Sequence, residues 1–348
     1  MPPRRRTKVP HPSRALDVRV GRAAPTAPQR LNAATIELAV ELGARAPLRL
    51  ERPVVVASGP LGFGAEAAGL IDMRDVGLFV VRTATLTARR AGLPPRLVEV
   101  PGGLLHAVDR ENPGIDEVIQ RHAPAWRDAA CAVALSVAAG TTAELRRLMR
   151  KVEGRGASLG IDAYELDLTA PCDAIDGAPF ESSLDEAARI VDVAREATDL
   201  PLIVKIAPAA SNVGQLVSHC ADAGADILSI SGSPIGFLPD WARRGAALAA
   251  GSGRLSGPLI RPLALAAVVE AAQVGALPII GGGGIGSPAD ALDFLAAGAS
   301  AVSVGSALWA DPGLPGAIVE SARRAAASRG APRISALVGA ALRDTLKP

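Results

Sequence analysis

The run Glu165-Leu-Asp-Leu-Thr-Ala-Pro-Cys172 ends an apolar strand pattern with a proline and then a thiol. A cysteine at the mouth of a site can remove a proton from carbon if neighbouring positive charge lowers its pKa from about 8.5. It can equally be a small packed residue in the turn after Pro171. His106 is a rival base with an intrinsic pKa suited to neutral pH, or else a structural histidine. Asp167 is a third candidate, which would favour a cationic or protonated substrate group. Lys205, in Val-Lys-Ile-Ala-Pro, can stabilise negative charge on a ring, form a Schiff base, or snorkel on a rim. Arg82, in Val-Val-Arg-Thr, carries the same ambiguity. The glycine run 281–284 followed by Ile-Gly-Ser, and the later Val-Gly-Ser at 304–306, read as a phosphate grip: glycine lets backbone N–H groups approach a phosphate, and the helix starting near Ser287 would present its positive end.

The elements that must position these groups alternate. From residue 53 onward, short runs rich in β-branched residues alternate with longer segments of helical period. Candidate strands occupy 53–59, 77–85, 132–139, 164–170, 201–208, 227–232, 277–284 and 301–308. Several intervening helices open on Ser, Thr or Asn and close on Gly. Eight such units predict a closed (β/α)₈ TIM barrel with its site at the C-terminal strand ends. A doubly wound sheet is the alternative, but its glycine-rich turn would follow an early strand, and here it follows the seventh. Before the first strand, IELAVEL and LRLERP predict a short N-terminal β-hairpin closing the barrel floor. The segment from Leu86 to Arg127 is too long for a simple loop, and long loops after barrel strands concentrate function.

Composition narrows the class. Hydrophobic residues make up 49% of the 348 positions and aromatics 3%, so Val, Ile, Leu and Ala must fill the core, as in buried parallel sheets. Residues 1–30 carry eight basic residues against the single acid Asp17, together with six prolines, and leave the remainder net acidic. Residues 1–33 therefore read as a basic, Pro-rich disordered tail, with 34–348 as the barrel, and a nucleic-acid role for the tail is disfavoured. The chain shows no leader-like apolar segment and no run of 18 apolar residues. Cys131, Cys172 and Cys220 lack metal-type spacing, so reduced thiols in a cytoplasm are expected, with no metal.

The order of the motifs is more specific. PVVVASGPLGFG, VVRTATL, PPRLVEVPGGLLHAVDRENPG, YELDLTAPC, LPLIVKIAP, GADILSISGSPIG, GRLSGPLIRP, PIIGGGGIGSPADAL and GASAVSVGSALW resemble, in sequence and order, the soluble class 1 dihydroorotate dehydrogenases, from about Ile36 to Asp311. The resemblance implies an FMN-binding barrel that oxidises dihydroorotate to orotate, or a related small cyclic substrate. It places Ala57, Ser58 and Gly59, with Arg82 and Thr83, along the flavin. Lys205 would stabilise the anionic reduced ring, Ser256 and Gly257 would approach it, and Gly283, Gly284, Gly305 and Ser306 would hold the phosphate. A homodimer is expected, with an iron-sulfur/FAD electron-transfer subunit as a further partner. VPGGLLHAVDRENPG looks closer to relatives that pass electrons to NAD through such a subunit than to those that use fumarate. The polar tail cannot act as the apolar helical pair of membrane-associated relatives.

The substrate residues depart from the family. Its fourth strand end reads Glu-Leu-Asn-hydrophobic-Ser-Cys-Pro-Asn, with the cysteine as base. Here Asp167 replaces the first asparagine, Ala170 the base and Cys172 the second asparagine. His106 stands where a substrate-binding asparagine is expected, Gly232 and Ser233 replace Asn-Thr, and Arg82 replaces a lysine. Cys172 and Lys205 are the expected catalytic pair; His106, Asp167, Cys172, Gly232 and Ser233 the expected substrate contacts. A site that hydrogen-bonds one substrate discriminates through those bonds, so a different heterocycle remains an alternative. So do a non-redox Schiff-base barrel using Lys205 and a flavin-binding protein without turnover.

Overall fold

The computed structural model describes residues 31–345 apart from 65, 67, 68 and 243, so the basic tail to residue 30 lies outside the described residues. Leu31–Ala33, assigned to the tail from sequence, are folded: Leu31 N–H donates to Ala327 O at 3.1 Å, and Asn32 caps a 3₁₀ turn at Ala33–Thr35. In chain order the strands are β1 (Val40–Leu42), β2 (Leu48–Leu50), β3 (Val54–Val56), β4 (Leu78–Val80), β5 (Leu97–Val100), β6 (Gly103–His106), β7 (Ala132–Val137), β8 (Ala163–Asp167), β9 (Leu202–Ile206), β10 (Ile227–Ile230), β11 (Ile235–Phe237), β12 (Pro239–Asp240), β13 (Gly245–Ala246), β14 (Ser252–Ser256), β15 (Ile279–Gly282) and β16 (Ala301–Val304). The helices are α1 (Ile115–Arg127), α2 (Thr142–Glu153), α3 (Leu184–Ala197), α4 (Val213–Asp222), α5 (Arg261–Val274), α6 (Pro288–Ala297), α7 (Leu314–Ser328) and α8 (Ala340–Thr345).

A closed parallel barrel forms in the order β3-β4-β7-β8-β9-β10-β15-β16, the expected (β/α)₈ architecture. Its strands are buried along nearly their whole length, which is why they read as continuous apolar runs. Side-chain caps open α2, α3 and α6; on α2, Thr141 Oγ1 accepts from Glu144 N–H, and the Glu144 carboxylate accepts from Gly140 N–H at 2.8 Å, one residue before the N-cap. The β1–β2 hairpin packs at the N-terminal strand ends, with Leu42 and Leu50 fully buried and Arg45 donating to Gly224 O just before β10.

Over the opposite end lies an antiparallel sheet in the order β11-β14-β6-β5, which no local periodicity announces. The long loop after β4 supplies β5 and β6, and the connection after β10 supplies β11 and β14. Asn112 ties that long loop down: its Oδ1 accepts from Thr85 and Gly114 N–H, while its Nδ2 donates to Thr85 Oγ1 and Arg110 O. The sheet therefore roofs the C-terminal strand ends.

Candidate active site

Between barrel and roof lies a cavity of about 970 Å³. It is lined by Ala57, Ser58 and Gly59 after β3, Arg82 and Thr83 after β4, Asp167 on β8, Lys205 on β9, and Gly232 and Ser233 after β10. Ser256, Gly257, Gly283, Gly284, Gly305, Ser306 and His106 line the same space. Cys172 does not. It is 1% exposed within the turn after Pro171, where its N–H donates to Ala178 O and its carbonyl accepts from Gly177 N–H. That turn curls back over the end of β8, because Phe180 and Glu181 donate to Ala170 and Leu168, and the thiol ends in the core. Cys131 and Cys220 are packing residues, their thiols pushed up by burial to about 12.

One end of the cavity suits a phosphate. The N–H groups of Gly284, Gly305 and Ser306 have no acceptor among the described residues. Gly284 has φ +85°, and a Cβ there would come within 2.9 Å of Arg261 N and Gly257 O, so a side chain would break the cradle. The N-terminus of α6 contributes less than its position suggests, because its own residues already occupy it. Ser287 Oγ accepts from Asp290 N–H in the first turn, the Asp290 carboxylate accepts from Gly286 N–H just before the N-cap, and Asp290 pairs with Arg261.

Toward the barrel axis a chain of hydroxyls leads inward. Ser58 Oγ lies 3.1 Å from Thr83 Oγ1, which lies 2.9 Å from Ser136 Oγ, which donates to Glu165 Oε1 at 2.9 Å. Lys205 Nζ stands 3.6 Å from that same carboxylate oxygen. Burial raises the Glu165 pKa, against the pull of Lys205. Lys205 is thus a nearly buried cation fixed at the mouth of the barrel.

The other end is charged in a way sequence reasoning missed. Arg110 is 7% exposed and pairs with Asp167 Oδ2 at 2.9 Å, while its Nη2 donates to Thr169 Oγ1. Thr169 in turn donates from both N–H and hydroxyl to Asp167 Oδ1. Burial alone would raise the Asp167 pKa, but Arg110, Lys205, Thr169 and Arg254 hold it well below the usual carboxylate range. Arg254 on β14 donates to Ser233 O and Thr169 O. Burial, reinforced by Arg254 and Arg82, lowers the His106 pKa, so the imidazole is neutral near neutral pH. The available signal for Arg254 was an arginine in an otherwise small and apolar strand, Ser-Gly-Arg-Leu-Ser, and for Arg110 its place beside Glu-Asn-Pro-Gly in the long loop.

Comparison with known proteins places the chain among them. The family model described as Dihydroorotate dehydrogenase matches residues 44–323. The chain is 35% identical over 304 residues to the dihydroorotate dehydrogenase B (NAD(+)) catalytic subunit of Geotalea uraniireducens, covering 87% of this chain and 98% of that one. It is 37% identical over 298 residues to the protein of the same name from Desulforudis audaxviator, covering 86% and 96%. A crystal structure of DHODH from Eimeria tenella in complex with ferulenol superposes with a TM-score of 0.71 at 19% identity, covering 88% of this chain and 89% of that one, a likeness of fold. From a family match over most of its length and relatives above one-third identity, the chain belongs to the dihydroorotate dehydrogenase family, an oxidoreductase family.

Proposed function

We propose that the chain is an FMN-dependent dehydrogenase that oxidises a ring CH–CH bond in a small cyclic acid of the dihydroorotate class, dihydroorotate itself being the first substrate to try. The observation that carries this reading is one cavity with unpartnered amides at Gly284, Gly305 and Ser306 and the fixed ammonium of Lys205. FMN, when bound, supplies the two-electron acceptor. The three amides would hold its phosphate, Ser58, Thr83, Ser256 and Gly257 would border the ring, and Lys205 would stabilise negative charge as it develops. The proton from substrate carbon goes to His106, whose neutral imidazole lines the cavity, and not to the core-facing Cys172. The test is spectroscopic: purified protein should show flavin absorption that bleaches anaerobically with dihydroorotate. A colourless protein that takes up no added FMN would overturn the assignment.

The relatives are named as catalytic subunits of an NAD(+) form. We propose that electrons likewise leave this chain, as a homodimer, through a separate iron-sulfur/FAD subunit. NAD⁺ alone should reoxidise the reduced protein slowly, and rapidly once such a subunit is added. Among the described residues no helix is long and apolar enough to cross a membrane.

A further inference from the structure

Four side chains of alternating charge, Glu165, Lys205, Asp167 and Arg110, meet where β8 and β9 reach the cavity. Glu165 and Asp167 lie two residues apart on β8 and so share one face of it. Asp167 is also the register partner of Lys205 on the adjacent strand β9, with the two strands about 4.8 Å apart, and both residues line the cavity. Placement alone would let Lys205 pair with either carboxylate. It pairs with Glu165, at 3.6 Å, and no ion pair among the described residues joins it to Asp167. Burial disfavours the charged form of Glu165, which weakens even that counter-charge.

The choice is made by the segment that follows β6. An ionised carboxylate offers about four lone-pair sites, and a donor stands at each one of Asp167. Thr169 donates to Oδ1 from N–H at 3.0 Å and from Oγ1 at 2.7 Å, and Arg110 brings Nε and Nη2 each to 2.9 Å from Oδ2. Arg110 Nη2 also donates to Thr169 Oγ1 at 2.8 Å, which closes a ring of three side chains. Asp167, expected from the sequence to contact substrate, has no acceptor site left for a ligand or for Lys205. Stability gives no reason for this arrangement, because a buried ion pair barely offsets its own desolvation and apolar residues of similar volume would serve as well. We infer that Arg110 is a positioning residue: by holding the Asp167 carboxylate on the roof side, it leaves the Lys205 ammonium free to meet an anion in the cavity. This rests on the proposed flavin site, in which Lys205 stabilises negative charge on the ring. Without Arg110, Asp167 turns to its strand neighbour and quenches that ammonium. Arg254, the other cation close to Asp167, already has both Nη groups on the carbonyls of Ser233 and Thr169.

Sulfite adds reversibly to flavins that sit beside a positive charge and bleaches their absorbance, so its Kd reports on Lys205 without turnover. In the FMN-loaded protein Arg110→Met should weaken sulfite binding at least about ten-fold. Arg110→Lys, which keeps a cation but loses the fork, should recover only part of that loss. In an Asp167→Asn background, Arg110→Met should change the Kd by less than about two-fold, since no carboxylate is left to divert. An equal loss in both backgrounds overturns the inference, because Arg110 would then act through its own charge, and so does an unchanged Kd in Arg110→Met. Should Arg110→Met not fold, Arg110→Lys carries the test, and wild-type sulfite affinity in it overturns the inference. A crystal structure of Arg110→Met should show Lys205 Nζ on Asp167; Nζ left on Glu165 alone, or Asp167 turned to Arg254, overturns the inference. That structure needs no flavin, so a colourless protein overturns the cofactor reading while the position of Lys205 still decides this one.

Discussion

Lys205 and Glu165 are each nearly buried, and each makes the other tolerable inside the barrel. Lys205→Ala should slow flavin reduction by about 10²–10³-fold in anaerobic stopped flow, the loss typical of one missing electrostatic stabiliser; an unchanged rate would remove Lys205 from the site. The same variant leaves Glu165 buried without its cation, so the rise that burial imposes on its pKa is no longer opposed by Lys205. A carboxyl whose folded pKa lies above its unfolded value stabilises at low pH and loses that contribution as pH rises through the folded value. Denaturation of Lys205→Ala should therefore show a deficit against wild type that widens with rising pH. At His106 the sign is opposite. Its pKa is lowered, so a base role predicts a kcat/KM profile whose acidic limb falls below about 6.5, the ordinary histidine value. His106→Ala should cost about 10²–10⁴-fold, whereas Cys172→Ser, inside the core, should leave the pH profile in place. A profile that moves with Cys172→Ser instead would restore the thiol as base.

At the scale of elements, the barrel was legible because its strands are fully buried and carry little but Val, Ile, Leu and Ala between helices with recognisable caps. The roof was not, for a physical reason. β5 is partly exposed along its length, and β6 acquires its meaning only by pairing with β14, far along the chain. His106 and Arg254 become neighbours through that pairing alone. Cys172 looked reactive because it follows Pro171 at a strand end, yet the hydrogen bonds of its turn decide which way the thiol faces. The glycines at the seventh strand end were readable because backbone geometry demands them. Gly284→Ala forces a Cβ at φ +85° against Gly257 O and Arg261 N, a strain of about 1–3 kcal/mol. It should lower the melting temperature modestly and release flavin, seen as a rise in free-flavin fluorescence; full retention at wild-type affinity would show that this turn is not part of the cradle.

For the whole molecule, the glycine-amide end and the charged end of one cavity draw their lining from the roof and from seven of the eight barrel strands or the loops that follow them, β7 being the exception. A ligand that binds this arrangement has no counterpart site in the unfolded chain, so its binding free energy adds to stability by mass action. FMN at 100 times its Kd should contribute about 2.7 kcal/mol, roughly a 3–6 °C rise in melting temperature for a domain of this size. Riboflavin separates the contributions, because it keeps the ring that would meet Ser58, Thr83 and Lys205 but has no phosphate for Gly284, Gly305 and Ser306. If those three amides are the grip, riboflavin at equal concentration should give a much smaller rise, and Gly284→Ala should lose most of the FMN effect while changing the riboflavin effect little. Equal shifts from the two flavins would mean that the ring alone holds the cofactor, and the unpartnered amides would then need another anion.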